Sequence, residues 1–297
     1  MEAVIKQKTI SKQYKKRSAL GAIWRQLRKN KGAIIGLVLV LFLIIMALIS
    51  PLIFDYKADI TAQNLQERLQ SPSAAHWFGT DDMGRDVFAR VMYGTRYSLA
   101  VGVVAVLIAL AVGVTLGAAA GYVGGVFENI IMRVCDIFSS LPSVLLAIAV
   151  VSAMGKSTVN LMIAVGIASM APFVRITRAA VLTVRGEEYV ESARAIGMQE
   201  GKIVLTHILP NCVSQIIVQA TLRVGQAIIA AAQLSFLGLG VPAPAPEWGS
   251  MLSAGRSYIR DYSYLTLYPG LAIMLAVLSL NLIGDGLRDA LDPKLKR

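Results

Sequence analysis

From Gly32 to Phe54 the chain runs without a single charged side chain. At about 1.5 Å per residue, a helix of that length covers roughly the 30 Å hydrocarbon thickness of a bilayer. Five further predominantly apolar stretches follow: Tyr97 to Phe127, of which only the part to about Gly121 need lie in lipid; Asn129 to Met154; the shorter Ser157 to Val174; Val213 to Gly238; and Tyr264 to Gly284. Arg133 and Asp136 lie near the start of the third, Pro142 predicts a kink within it, and Arg223 lies inside the fifth. With 56% hydrophobic and 16% charged residues, against about 25% charged in ordinary soluble domains, the chain reads as an all-α integral membrane protein with six transmembrane helices.

Lysine and arginine gather on the cytoplasmic side of membrane proteins. With six spans both ends share a face, and residues 1 to 31, 175 to 212 and 288 to 297 together hold 19 basic residues, against 8 on the opposite loops. The N- and C-termini are therefore expected in the cytoplasm. This distribution accounts for the net charge of +11 through topology and anionic lipid, without nucleic acid. The first apolar run exceeds the 7–15 residues of a signal-peptide core, so it reads as a retained anchor.

The organisation expected is a basic cytoplasmic segment over 1–31, a first transmembrane helix over 32–54, an extracytoplasmic loop over 55–96, and a five-helix core over 97–297. In the loop, Met83, Val87 and Val91 recur at helical spacing, predicting an interfacial helix over 81–97 that leads into the second span. Within the core, Gly186 to Asn211 forms a cytoplasmic loop. There Tyr189, Val190, Ala193 and Ile196 fall on one helical face, Glu191 can pair with Arg194, and Gly197 marks a left-handed helix end. A second short helix is expected over 199–208, stopped by Pro210. The two make an elbow with an exposed small-residue surface; periodicity alone favours an interfacial amphipathic hairpin that only anchors the loop.

Catalytic motifs are absent. Gly155-Lys156-Ser157 resembles the end of a phosphate loop, but Val150 stands where that motif requires glycine. His76 and His207 fall on opposite faces, and Cys135 and Cys212 read as small buried residues, so neither a metal site nor a hydrolytic triad is expected. Energy for uphill transport would have to come from another subunit.

The elbow resembles a known family. Glu191-Ser192-Ala193, Gly197 and Leu209-Pro210 look like the Glu-Ala-Ala loop of ABC importer membrane subunits, with Ser192 in place of the first alanine and His207 in the usual isoleucine place. Phe78-Gly79-Thr80-Asp81-Asp82-Met83-Gly84-Arg85-Asp86, Leu237-Gly238-Leu239-Gly240, Pro246-Glu247-Trp248-Gly249 and the stretch from Gly284 to Lys294 are similar to the second membrane subunit of peptide-type importers. The resemblance covers about residues 20 to 297. It implies the type I ABC importer permease fold in a bacterial cytoplasmic (inner) membrane. It further implies a heterodimer with a homologous permease, two ATP-binding subunits that hold ATP and magnesium, and an extracytoplasmic substrate-binding protein.

On that resemblance the cargo is a di- or oligopeptide, with glutathione or nickel as alternatives; the lack of His or Cys clusters disfavours nickel. A stand-alone secondary transporter would hold ionisable groups at mid-membrane, and a purely structural membrane protein would leave the elbow without a purpose. Candidate coupling residues are Glu188, Glu191, Ser192, Ala193, Gly197, Leu209 and Pro210. Arg223, Arg133 and Asp136 are pathway or interface candidates. Gly79, Asp81, Gly84, Arg85, Asp86, Glu247 and Trp248 form the extracytoplasmic signature.

Overall fold

The computed structural model describes residues 19 to 291. The first part of the basic segment and the final Asp292-Pro293-Lys294 lie outside them. The helices are α1 (Ala19–Leu27), α2 (Lys31–Ile53), α3 (Val87–Val123), α4 (Gly125–Ser140), α5 (Ser143–Met154), α6 (Thr158–Ala168), α7 (Met170–Val184), α8 (Glu188–Ala195), α9 (Glu200–Ile203), α10 (Leu209–Phe236), α11 (Trp248–Gly255) and α12 (Tyr264–Leu291). Among the described residues no strand forms; the one β-bridge joins Thr80 to Asp86. Four helical runs are long and apolar enough to span a bilayer, and six spans result if each of two bent pairs counts as one.

Glycine rows set the close packing, since small residues let backbones approach where water gives no hydrophobic drive between helices. Gly113, Gly117 and Gly121 recur every four residues on α3 and lie flush on α7: a Cβ at these positions would stand 2.4 Å from Phe173 Cβ, 2.5 Å from the Val174 carbonyl and 2.9 Å from the Arg178 carbonyl. Gly36 brings α2 onto α12 in the same way, 2.7 Å from the Ser279 carbonyl. The opposite side of α2 carries exposed Ile35, Val38, Phe42, Ile45 and Leu52, a surface suited to lipid.

Val87 and Tyr264 pack together with Trp248 at one end of the bundle, whereas Ala118 and Val181 meet Val190 and Ile203 at the other. The elbow therefore sits with the C-terminal ends of α3 and α7, at the end that the basic count assigns to the cytoplasm. Leu27 of α1 packs on Ala290 of α12, adding α1 to that same end.

Several expectations change in detail. The third span bends by 92° between α4 and α5, far more than a proline kink. Asp136 and Glu128 of α4 pair with Arg175 and Arg178 of α7, which holds α4 along that helix while α5 turns onto α6. The fourth span continues to Val184 through a 43° bend. No separate interfacial helix covers 81–97; a tight turn occupies 81–86 and α3 starts at Val87, continuous with the span.

Pro210 does not stop a helix. A wide π-turn over Val204–Ile208, closed by the Leu209 N–H on the Val204 carbonyl, carries the helix from Glu200 straight into α10. Pro210 falls in the first turn of α10, where its missing N–H costs little.

Candidate functional site: the cytoplasmic elbow and its outer counterpart

The elbow folds through its own hydrogen bonds. Helix α8 ends with the Gly197 N–H on the Arg194 carbonyl (3.0 Å) and the Met198 N–H on the Ala193 carbonyl (3.2 Å). Gly197 has φ +80°, the left-handed geometry that a helix end of this type takes and glycine adopts without strain. Beneath it Val190, Ala193, Ile203, Ile208 and Cys212 are buried against Ala118, Ala180 and Val181. At about 1.5–3 kcal/mol per large buried side chain, Val190, Ile203 and Ile208 are enough to hold the elbow on the bundle.

Its opposite surface is open. Glu188, Glu191, Ser192 and Gly197 are exposed, and Tyr189, Ile196 and Leu205 are 42%, 78% and 67% exposed. Arg194 does not pair with Glu191. It reaches Glu200 at 3.2 Å and donates to the Tyr122 hydroxyl at 3.2 Å, while that hydroxyl donates to the Glu200 carboxylate. The link ties α8, α9 and the end of α3 together, and neither Tyr122 nor Glu200 carries a sequence signal for it. Glu191 makes no ion pair among the described residues. Leu209 is half-buried and Pro210 exposed at the root of α10, away from the turn.

The outer signature is drawn together from distant parts of the chain. Asp81 accepts from the Met83 and Arg85 backbone N–H groups, both at 2.9 Å, and pairs with the Arg85 side chain at 2.7 Å and with Arg90 at 3.5 Å. Arg90 is 5% exposed and donates to the Ile60 carbonyl at 2.6 Å. Asp86 caps α3 through the Ala89 N–H at 2.8 Å and contacts His76 at 2.8 Å. Glu247, 2% exposed, caps α11 by accepting from the Gly249 and Ser250 N–H groups at 2.8 Å and takes the Ser235 hydroxyl at 2.8 Å. Trp248 is fully buried, with its indole N–H on the Val91 carbonyl at 2.9 Å. Gly79 and Gly84 take positive φ in the turns between these groups. The motif residues thus lock the outer loop onto α3 and α11, with Arg90, Ser98, Ser235 and Tyr264 as partners that the motif did not reveal.

Near the start of the third span Arg133 and Asp136 do not pair with each other. Asp136 pairs with Arg175 at 3.0 Å, while Arg133 is exposed and makes no ion pair among the described residues. Arg223 donates to Gln226 at 2.8 Å and meets no carboxylate among them. No group of three or more His, Cys, Asp or Glu among the described residues could hold a metal ion.

The chain is 50% identical to a dipeptide transport system permease protein of Alkalihalophilus pseudofirmus, over 92% of this chain and 89% of that one. It is 46% identical to a glutathione transport system permease protein of Pectobacterium atrosepticum, over 92% and 90%. The fold matches that of the MetNI methionine ABC transporter in an inward-facing conformation, with TM-score 0.57 and 16% identity, over 68% of this chain and 96% of that one. Residues 18–72 match the N-terminal transmembrane domain of oligopeptide transport permease C. Residues 113–297 match the binding-protein-dependent transport system inner membrane component. With an all-helical, multi-pass fold, an exposed elbow and these matches, the chain belongs to the peptide-type ABC permease family of bacterial inner-membrane transport components.

Proposed function

We propose that this chain forms half of the passage through which an ATP-driven importer moves di- or oligopeptides, delivered by an extracytoplasmic binding protein, into the cell. The other half is a homologous permease in a heterodimer. Two ATPase subunits bind ATP and magnesium and dock on the α8–α9 elbow, so this chain performs no hydrolysis itself.

The observation that carries the reading is the two-sidedness of the elbow. Its inner face is fixed on α3 and α7, while its outer face presents Ile196 at 78% and Tyr189 at 42% exposure around the carboxylate of Glu191, which makes no ion pair among the described residues. Apolar surface rimmed by charge is what a protein partner covers. A rigidly mounted elbow passes a push on its outer face to α3, α7 and α10 together.

Glutathione is the second reading, favoured by relatives 44–46% identical that serve glutathione transport systems. It shares peptide-type amides and carboxylates, so one experiment separates the two. The assembled complex in proteoliposomes, supplied with ATP and each binding protein encoded beside it, is assayed for uptake of labelled dipeptide, tripeptide and glutathione. ATP-dependent uptake of di- or tripeptide supports the first reading and glutathione alone the second; uptake of neither overturns both.

A further inference from the structure

Helix α10 carries Gln215, Gln219, Arg223, Gln226 and Gln233. At about 100° per residue these five side chains fall within an arc of about 80°, and from first to last they cover about 27 Å of rise, close to the thickness of the hydrocarbon core. Ala230 is the apolar member of the same arc, and Leu222 borders it. The packed side of the helix lies elsewhere: Ile216, Ala227, Ala231 and Leu234 are buried. Gln215, Gln226 and Gln233 are exposed, and Gln219 and Arg223 half-buried.

Primary amides and a guanidinium facing hydrocarbon along a whole span would each cost kilocalories in unmade hydrogen bonds. Val213 and Ile217, 43% and 45% exposed, offer apolar surface outside this arc. A cavity of about 440 Å³ opens beside the stripe, lined by Ser214, Gln215, Gln219 and Leu222 of α10 and by Arg288 of α12. The cytoplasmic end of the amide row therefore borders an open cavity, whose wall also includes Ile176, Val218 and Leu291.

We propose that this stripe is the wall of the passage, and that it holds a peptide by its backbone. A glutamine amide donates and accepts at once, as a peptide group does, so a row of them can exchange hydrogen bonds with any peptide whatever its side chains. Arg223, near the middle of α10 and without a carboxylate partner among the described residues, supplies the cation for a carboxylate of the cargo. The inference rests on the peptide-import reading above for its cargo, but not for its geometry.

The test uses the assembled complex in proteoliposomes, with Cys135 and Cys212 replaced by alanine. Single cysteines at Gln219, Gln226 and Gln233 and at the apolar Val213 and Ile217 outside the stripe are exposed to a charged, water-soluble thiosulfonate. Modification at the stripe at least tenfold faster than at 213 and 217 is expected, with slowing when a transported tripeptide is present. Equal rates overturn the proposal, as does failure of the stripe variants to assemble with the partner permease, which would make the stripe a subunit seal. In parallel Gln226→Leu should lower tripeptide import at least fivefold while assembly is unchanged, and Gln226→Asn should restore part of it; unchanged import in Gln226→Leu overturns the backbone-holding role. If the unaltered complex imports neither peptide nor glutathione, the cargo reading fails, while the thiol rates still decide whether the stripe faces water.

Discussion

Replacing Gly197 separates strain from docking. No atom lies within 4 Å of a Cβ built there, so bulk alone costs nothing inside this chain, whereas φ of +80° penalises side chains unevenly. Asparagine tolerates left-handed geometry and valine does not, so Gly197→Asn should retain the turn at a cost below about 1 kcal/mol. Gly197→Val bears at least the roughly 1–2 kcal/mol of a Cβ in left-handed backbone. If the backbone leaves that region, the 3.0 and 3.2 Å hydrogen bonds that close α8 are lost, at about 0.5–1.5 kcal/mol each. Those bonds are lost on opening in the parent as well, so the variant differs by the strain alone, and roughly 1–2 kcal/mol corresponds to an opened elbow about 5 to 30 times more populated, at about 1.4 kcal/mol per tenfold. Hydrogen exchange over residues 188–203 of the purified complex reads this directly, with binding-protein-stimulated ATPase activity measured alongside. Val should exchange faster by a factor in that range and lose stimulation, with Asn near the parent in exchange. Equal exchange in the Val variant and the parent would refute the assigned role of the turn. Loss of stimulation in Asn with exchange unchanged would show bulk meeting a docked partner.

Other outcomes follow from the outer layer and the topology. A Cβ at Gly94 would stand 2.0 Å from the Pro246 carbonyl, against 3.9 Å from the nearest atom for Gly270. Gly94→Ala should therefore lower the midpoint of thermal unfolding of the complex by the equivalent of about 1–3 kcal/mol, and Gly270→Ala should leave it in place. Glu247→Leu removes the acceptor for two backbone N–H groups and the Ser235 hydroxyl in a site 2% exposed; a loss of at least about 2 kcal/mol is expected, and Glu247→Gln should recover part of it in the same melt. For sidedness, Ser157→Cys, at the turn between α5 and α6, should react with an impermeant thiol reagent in intact cells, and Ser192→Cys only after permeabilisation. The reverse pattern would invert the topology.

What the sequence revealed follows the physics of each region. Spans such as Lys31–Ile53 are legible because lipid imposes length and apolarity on consecutive residues. The 92° turn at Pro142 is not, since a proline permits a break while ion pairs from α4 to residues about 40 and 50 positions away on α7 set its direction. Pro210 was misleading for a related reason: it reads as a stop, yet the preceding π-turn absorbs the missing donor. The turn at Gly197 was readable because a helix end is a local device. The pairing of Arg194 with Glu200 and Tyr122 was not, because it depends on where α3 ends in space. In the outer motif, Asp81 and Glu247 stand out by pattern, but Arg90 and Ser98, which pair with Asp81 and Glu247 respectively, belong to a span that otherwise looks featureless.

The contact made by the elbow is the centre of the account, and a photo-crosslinking residue placed at the exposed Glu191 position tests it in intact cells. The elbow should yield an adduct with the ATPase subunit of the complex, diminished when Gly197 is valine. Adducts with lipid alone, or none with the ATPase in an assembled and transporting complex, would contradict it and leave α8 and α9 as a membrane-surface anchor.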